Sequence, residues 1–433
     1  MSRQIAVIWT LFMFSGLSSA AQGASFLFMK GSIPGTFINP GLVLDKTVNI
    51  SVAGLSASFT TNGPSINDVT SKNSSGDRYI DVKKIPDNVY PKNDITAALD
   101  IHTLDIGIKT GLVTWLTGHA YRSSANINYP GSLVELAAKG NAAFVGQKVS
   151  IGTSVDVSAY NEIYLGAQVK VSAFSIGLRG KILYGAANIL TEKSSVIFQT
   201  KADYYQLELE NDYLLRSSGL LRYHSLDSIT LDYKPVTFEN LFFNNRGFAF
   251  DVGATYTIGD KLMISASALD IGYINWDFFP RKYSSKGVFS FEGIDILDFL
   301  GDSTSISVSD SLLNSVKVTS SLENYKTSLS NRFTFGCAYD MNDHWSFNAL
   351  FLTNKNFGYR YNQFSVSLLR KFSFFHTGLI CTFAKNNLFA FGLYGKINAG
   401  PFSAYLNAEN VLAVFRPLDS KSGGLRIGTT LQF

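Results

Sequence analysis

The segment from Leu425 to Phe433 alternates strictly between two kinds of side chain. One parity is apolar apart from a threonine, and the other is polar or small: Leu425, Ile427, Thr429, Leu431 and Phe433 against Arg426, Gly428, Thr430 and Gln432. Because successive side chains of a strand point to opposite faces, the segment predicts a strand with one apolar face. Such a strand, ending on an aromatic residue, is typical of the strand that closes a transmembrane β-barrel between lipid and lumen.

Residues 1–20 have the three-part pattern of a secretory signal peptide. Arg3 precedes an apolar run from Ile5 to Leu17, and Ser18-Ser19-Ala20 supplies small residues for cleavage. The alternative is an uncleaved membrane anchor, but the run is short for a bilayer span and no basic stop-transfer segment follows it. We therefore expect residues 1–20 to be cleaved and to take no part in the fold.

The composition is unusual for a soluble domain and also for a helical membrane protein. Charged residues make up 16% and aromatic residues 14% of the chain, whereas charged residues usually make up about a quarter. After the N-terminal run, no stretch of eighteen or more apolar residues occurs, which argues against helical spans. The net charge of +4 comes without a dense basic run, so the sequence gives no support for nucleic-acid binding.

Alternation with a period of two recurs throughout residues 46–433. The clearest segments are 149–158, 163–172, 176–183, 248–256 and 402–409, and weaker ones cover 46–60, 95–109, 112–124, 194–201, 204–214, 261–275, 284–294, 323–340, 345–354, 359–371, 376–385 and 388–398. Short two-faced segments could also build a large β-sandwich or propeller. Together with the export signal, the low charge and the aromatic terminal strand, they favour a closed antiparallel transmembrane β-barrel of about 14 strands (roughly 12–16) with long loops.

The remaining segments lack sustained alternation. Residues 21–45, punctuated by Gly and Pro, could be a first strand, a periplasmic tail or a plug in the lumen. Residues 61–94, 215–246 and 277–330 are expected to be surface loops. The apolar patch from Phe238 to Phe243 is either part of that loop surface or a segment that folds inward or touches a partner. Ser132 to Lys139 predicts a helical turn, and Asp310 to Val318 a short amphipathic helix.

Several blocks of the sequence resemble a known family. They are Asn39-Pro40, Tyr129-Pro130 through "SLVELAAKGNAAFVGQKVSI" to Ile151, "SAYNEIYLGAQVKVS" (158–172), "GLRGKILYGAANI" (177–189), "YYQLELENDYLLRSSG" (204–219) and "PLDSKSGGLRIGTTLQF" (417–433). With this spacing the chain resembles an uncharacterised outer-membrane β-barrel family of the Bacteroidetes, a family of unknown function. That family is similar in kind to long-chain fatty-acid transporter barrels and to type IX secretion barrel proteins. The transporters carry Asn-Pro-Ala near the start of their plug, whereas the third residue here is Gly41.

No catalytic, cofactor or metal motif is present in the sequence. The histidines are scattered and form neither a His-Glu-x-x-His nor a paired Cys/His pattern: His102, His119, His224, His344 and His376. We therefore predict no enzyme, no cofactor and no metal site. Cys337 and Cys381 have apolar neighbours of the same parity and are expected to be wall residues rather than a disulfide. Nine polar residues are predicted to face the lumen: Gln168, Lys170, Arg179, Lys181, Glu208, Glu210, Asp251, Asn407 and Glu409.

The resemblance implies passive transport of small hydrophobic molecules through a plugged or gated lumen. The expected partners are outer-membrane lipid and hydrophobic small molecules. The alternative is a scaffold that anchors surface or secretion proteins through its long loops while nothing passes through the barrel.

Overall fold

Fourteen antiparallel strands form a closed barrel over the part of the chain that the computed structural model describes. The described residues are 24–81, 84, 89–203, 205–219, 221–225, 228–231, 238–291, 318–356, 359–384 and 388–433. The last strand pairs with the first, so that Gln432 lies opposite Asn49 and Arg426 opposite Ser56. The predicted closed barrel is confirmed, and a sandwich or propeller is excluded.

All strands are numbered in chain order. The barrel strands, in their order around the wall, are β1 (Val48–Thr61), β4 (Lys92–Thr110), β5 (Val113–Pro130), β7 (Ser154–Val171), β8 (Phe174–Thr200), β12 (Arg246–Ile258), β13 (Leu262–Trp276), β17 (Asn331–Asp340), β18 (Trp345–Asn356), β19 (Tyr359–Lys371), β20 (Phe375–Ala384), β21 (Leu388–Ala399), β22 (Phe402–Ala408) and β23 (Ser422–Gln432). The others are β2 (Thr70–Lys72), β3 (Arg78–Ile80), β6 (Lys148–Ser150), β9 (Leu207–Ser218), β10 (Leu221–Ser225), β11 (Ser228–Leu231), β14 (Arg281–Phe291), β15 (Thr319–Ser321) and β16 (Tyr325–Ser328).

The outer and inner faces of the wall differ in polarity as the alternation predicts. On β7 and β8 the outward Leu165 and Leu178 are 65% and 57% exposed, whereas the inward Gln168 and Arg179 are buried. A belt of exposed apolar side chains suits hydrocarbon, and closure satisfies the backbone of the wall without a free edge. Cys337 and Cys381 are free thiols on the outward parity, in agreement with their predicted place in the wall.

The two ends of the barrel differ in the length of their connections. At one end, here called the short-turn end, residues 111–112, 172–173, 259–261, 341–344, 372–374 and 400–401 join successive strands. At the opposite, long-loop end, the connections include residues 62–91, 131–153, 201–245, 277–330 and 409–421. No helix within the described residues is both long and apolar enough to cross a membrane.

The sequence pattern placed two strand segments wrongly and divided two others. Residues 149–158 and 163–172 belong mostly to one strand, β7, and residues 176–183 and 194–201 to the 27-residue β8. The segments 204–214 and 284–294 correspond to β9 and β14. These strands do not enter the barrel. Strand β9 pairs with residues 188–200 of β8, and β14 pairs with β9. A strand that runs past the membrane keeps its alternation, so periodicity alone could not mark where the barrel ends.

The helices lie outside the sheet: α1 (Ala24–Leu27), α2 (Ile33–Thr36), α3 (Ile66–Val69), α4 (Gly131–Lys139), α5 (Phe238–Phe243) and α6 (Val411–Phe415). Helix α4 confirms the predicted helical turn. Helix α5 does not fold inward: it lies on the outer face of the wall, where the Phe242 ring is 5.5 Å from the ring of His119. The predicted signal peptide and nearly all of the predicted helix at 310–318 lie outside the described residues.

Candidate functional site

Residues 24–45, here called the lumenal segment, lie inside the barrel against its inner wall. The segment contains α1 and α2 and folds back on itself, with the Asp45 amide donating to the Gly31 carbonyl at 3.0 Å. Its apolar side chains are buried: Phe26, Leu27, Phe28, Met29, Ile33, Phe37, Ile38, Leu42 and Leu44. The segment therefore supplies most of an apolar core that the barrel wall encloses.

One side of the wall holds this segment by hydrogen bonds. We call the inner face of β7, β8, β12 and β13 the polar arc. Four of its side chains donate to backbone carbonyls of residues 36–42: Arg179 to Thr36 (2.8 Å), Ser267 to Ile38 (2.6 Å), Gln168 to Pro40 and Leu42 (2.9 and 2.7 Å), and Thr255 to Gly41 (3.3 Å). Buried carbonyls outside regular structure need such partners, so these donors fix the position of an irregular chain.

Asn39, Pro40 and Gly41 fit a gap in the wall that two glycines create. Gly177 of β8 and Gly253 of β12 are register partners. A Cβ at Gly177 would overlap the Pro40 carbonyl, and one at Gly253 would overlap the Asn39 side chain. The Asn39 amide donates to the Ala254 and Ala266 carbonyls, both at 3.1 Å. A Cβ at Gly41 would come 2.8 Å from the Gly253 carbonyl oxygen, which gives a steric reason for glycine there.

The opposite side of the wall holds the segment by apolar contact. We call the inner face of β18 to β22 the apolar arc, because each strand contributes one buried apolar or aromatic side chain to the core that includes the lumenal segment: Leu350, Leu369, Ile380, Tyr394 and Tyr405. The Phe28 ring lies 5.1 Å from that of Tyr394. Burial of this kind is stabilising but not directional, so this arc contributes affinity for the segment more than registration.

A buried ion-pair network extends the polar arc to β5 and β17. The Lys181 ammonium lies 2.5 Å from Asp270, 2.9 Å from Asp251 and 3.6 Å from Glu162. The Arg122 guanidinium lies 3.1 Å from Glu162 and 3.3 Å from Asp270, and that of Arg332 lies 2.7 Å from Asp270. Buried charges are tolerated only when they are paired in this way, so these six side chains depend on one another.

Four further contacts hold residues 25–31 of the lumenal segment. The Lys30 ammonium lies 2.6 Å from Asp340 at the end of β17, and both side chains are partly exposed. Arg426 donates to the Ser25 hydroxyl at 2.6 Å, and its guanidinium lies 3.8 Å from the centre of the Phe26 ring. Gln432 donates to the Gly31 carbonyl at 3.0 Å. The closing strand therefore contacts the segment as well as β1.

Most of the polar residues predicted to face the lumen do so. Gln168, Arg179, Lys181, Asp251, Asn407 and Glu409 are buried on the inner face, and Lys170 lies at the short-turn mouth. The prediction was wrong for Glu208 and Glu210, which lie on β9 outside the barrel, where they pair with Lys201 (3.1 Å) and Lys148 (3.6 Å). Both residues share the parity of a wall strand, but their strand is not in the wall.

Sequence reasoning missed four members of the ion-pair network: Arg122, Glu162, Asp270 and Arg332. Arg122 and Glu162 lie at inward positions of the alternation in their strands, and Glu162 is on the same face as Gln168. The alternation alone could therefore have predicted both. Asp270 could not be found in this way. It lies at a β-bulge with a φ of 58°, and a bulge shifts the parity by one residue.

Within the described residues, no group of three or more His, Cys, Asp or Glu side chains is placed to hold a metal ion. His102 lies in the lumen, where its ring stacks on Phe37 at 3.8 Å and Nδ1 is 3.2 Å from Asp105. His119 lies on the outer face and His376 at the short-turn mouth. The arrangement can pair charges and bury an irregular segment.

Two spaces border the lumenal segment. A cavity of about 350 Å³ lies at the short-turn end. Beside Phe26 and Phe37, towards Arg122 and Arg332, a space of about 20 Å³ remains, which is close to the size needed for one water molecule. The fold and the site thus define a closed transmembrane barrel whose lumen holds its own N-terminal segment.

The chain belongs to the Family of unknown function (DUF5723), whose family model matches residues 40–409. It is also similar to solved barrel structures. The toluene transporter TbuX of Ralstonia pickettii matches with 8% identity and a TM-score of 0.48, covering 97% of this chain and 98% of that one. The toluene transporter TodX of Pseudomonas putida matches with 9% identity, a TM-score of 0.43 and 96% of each chain. A FadL homologue of Pseudomonas aeruginosa matches with 10% identity and a TM-score of 0.40, covering 97% and 98%. No curated protein matches significantly.

Proposed function

We propose that this chain is an outer-membrane β-barrel through which small hydrophobic molecules diffuse, and that the lumenal segment is its plug. The observation that carries the proposal is how residues 24–45 are held: by side-chain hydrogen bonds, a partly exposed ion pair at Lys30 and apolar packing, outside the strand pairing of the wall. The segment can therefore move while the hydrogen bonds that close the barrel stay intact.

Movement of the segment would expose the apolar arc. When residues 24–45 leave the apolar arc, the side chains at Leu350, Leu369 and Ile380 lose their cover and offer an apolar surface to a hydrophobic molecule. Passage would need neither a covalent step nor a cofactor. The short-turn end would face the periplasm, because barrels of this class have short periplasmic turns and long outer loops.

A scaffold is the second candidate function, and two observations favour it. The space between the segment and Arg122 is only about 20 Å³. At the long-loop end, α6 exposes large apolar side chains, with Leu412 58% and Phe415 77% exposed. Surface or secretion proteins could dock on this helix while the segment stays fixed in the lumen.

Locking the segment to the wall distinguishes the two functions. A carbodiimide joins a lysine amine to a carboxylate in contact with it, and Lys30 and Asp340 are 2.6 Å apart. The experiment measures uptake of a labelled hydrophobic compound into liposomes that contain the purified chain, before and after the cross-link. We expect uptake above that of protein-free liposomes, and we expect the cross-link to abolish it.

The variant Lys30→Gln is the matched control. It cannot form the cross-link to the segment, while Lys371, 3.4 Å from the same carboxylate, keeps a cross-link within the wall. Carbodiimide should leave its uptake unchanged. Uptake no greater than that of protein-free liposomes would reject transport. Uptake that persists in the locked protein would reject the segment as the plug.

A further inference from the structure

The cavity of about 350 Å³ at the short-turn end is a second candidate site, between the lumenal segment and the wall. The lumenal segment forms its inner boundary through residues 27–28, 30–32, 42–43 and 45, and the ends of several wall strands form its sides. Its apolar lining includes Leu27, Phe28, Leu42, Met263 and Leu369. The segment and the wall therefore meet at this cavity.

The charged lining of this cavity is mainly cationic. Its described ionisable groups are Lys30, Lys170, Lys371, Lys396, Asp45 and His376. Asp340, close behind the lining, pairs with both Lys30 (2.6 Å) and Lys371 (3.4 Å). With a neutral histidine, four lysines face two carboxylates. The cavity and its immediate surroundings thus have an excess of two positive charges.

Two neutral groups of the lining are buried without a protein partner. The Asn348 amide and the Ser175 hydroxyl belong to side chains of residues that are each 1% exposed, and neither has a hydrogen-bond partner among the described residues. Buried polar groups are nearly always paired. Both residues lie in the lining, but their unpaired polar atoms have almost no accessible surface, so a ligand reaches these N–H and O–H donors only after neighbouring side chains shift.

Asp45 is the carboxylate of the segment in this lining, and burial raises the pKa of its carboxyl above the usual value. Among the charged groups around it, Lys30, Lys371 and Lys396 act in the opposite direction. Desolvation is the larger of the two effects.

We propose that this cavity binds a small divalent oxyanion, of phosphate or dicarboxylate chemistry, between the lumenal segment and the wall. Two negative charges match the excess charge of the lysines, and ammonium groups bind such anions as point charges. Lys30 would contact the anion from the segment, and Lys371 and Lys396 from β19 and β21. The bound anion would therefore strengthen the attachment of the segment to the wall.

Binding is tested on the purified full chain in detergent micelles, by calorimetric titration with inorganic phosphate and, separately, with succinate. Chloride at matched ionic strength measures nonspecific screening. We expect saturable binding of at least one of the two dianions and none of chloride. The dianion that binds more tightly shows whether the site prefers a phosphate or a dicarboxylate. The absence of saturable binding by both, or equal binding of chloride, would overturn the proposal.

Two variants with opposite expected effects separate a binding site from a structural defect. Lys396→Gln should weaken binding by about tenfold, equivalent to about 1.4 kcal/mol, while Asp45→Asn should tighten it because it removes a repelling carboxylate. Lys193→Gln, on an exposed ion pair 3.2 Å from Asp212 outside the barrel, is the matched control and should bind like the unchanged chain. A shift of the same sign in the Lys396 and Asp45 variants would also overturn the proposal.

Discussion

The polar arc and the apolar arc hold the same segment by different interactions, hydrogen bonds on one side and apolar packing on the other. The polar arc presents donors such as Gln168 and Arg179 to individual carbonyls, and behind them lies a network in which each charge needs its partners. The apolar arc presents side chains such as Ile380 that exclude water without fixing a direction. The difference indicates that the polar arc sets where the segment lies, whereas the apolar arc stabilises it in that place.

The largest effect is expected from breaking the charge network of the polar arc. Asp270→Asn leaves Lys181, Arg122 and Arg332 without the carboxylate that they share. Removing one partner of a buried pair typically costs about 3–5 kcal/mol, so the free energy of unfolding, measured by urea titration in lipid vesicles, should fall by about that amount.

Asp212→Asn is the matched control for this substitution. Asp212 pairs with Lys193 at 3.2 Å, but both side chains are substantially exposed outside the barrel. An exposed pair contributes about 0–1 kcal/mol. Equal losses in the two variants would show that the network is no more important than a surface ion pair.

A somewhat smaller loss is expected from the apolar arc. Ile380→Ala removes buried contacts with the core that includes the lumenal segment, and such truncations cost about 2–5 kcal/mol. The same urea titration measures the loss. The neighbouring Leu379→Ala, at a side chain that faces outward and is 44% exposed, should cost clearly less. Equal losses would mean that the inner face carries no special packing.

The smallest effect is expected where Gly177 of the wall lies against Pro40 of the segment. Gly177→Ala introduces a Cβ that overlaps the Pro40 carbonyl, and overpacking costs about 1–3 kcal/mol. We expect the strain to act on the attachment of the segment, seen as faster protease cleavage within residues 24–45 while the barrel stays folded.

Gly180→Ala on the same strand is the control, because its Cβ would lie 3.9 Å from the nearest atom, the Leu165 carbonyl oxygen. Its cleavage should match that of the unchanged chain. If Gly177→Ala also leaves cleavage unchanged, the fit of Asn39-Pro40 against the two glycines does not position the segment.

The sequence predicted the barrel well, because a wall between lipid and lumen imposes alternation on every strand. In β23, Leu425 to Gln432 have the faces that the pattern predicts. The sequence could not show that β9 and β14 lie outside the wall, because a strand alternates between two faces whether or not it is in the membrane. Only part of the charge network could be predicted from the sequence, because the bulge at Asp270 shifts the alternation by one residue. The position of residues 24–45 depends on carbonyls meeting distant donors, a contact that leaves no periodic trace in the sequence.

The central claim is that residues 24–45 close the lumen. The most direct measurement compares the single-channel conductance, in planar bilayers, of the chain from residue 21 onward with that of a variant that also lacks residues 24–45. We expect little or no conductance for the chain that keeps residues 24–45 and a large, steady conductance for the shortened one, with both migrating as folded barrels. Equal conductance in the two proteins would contradict it.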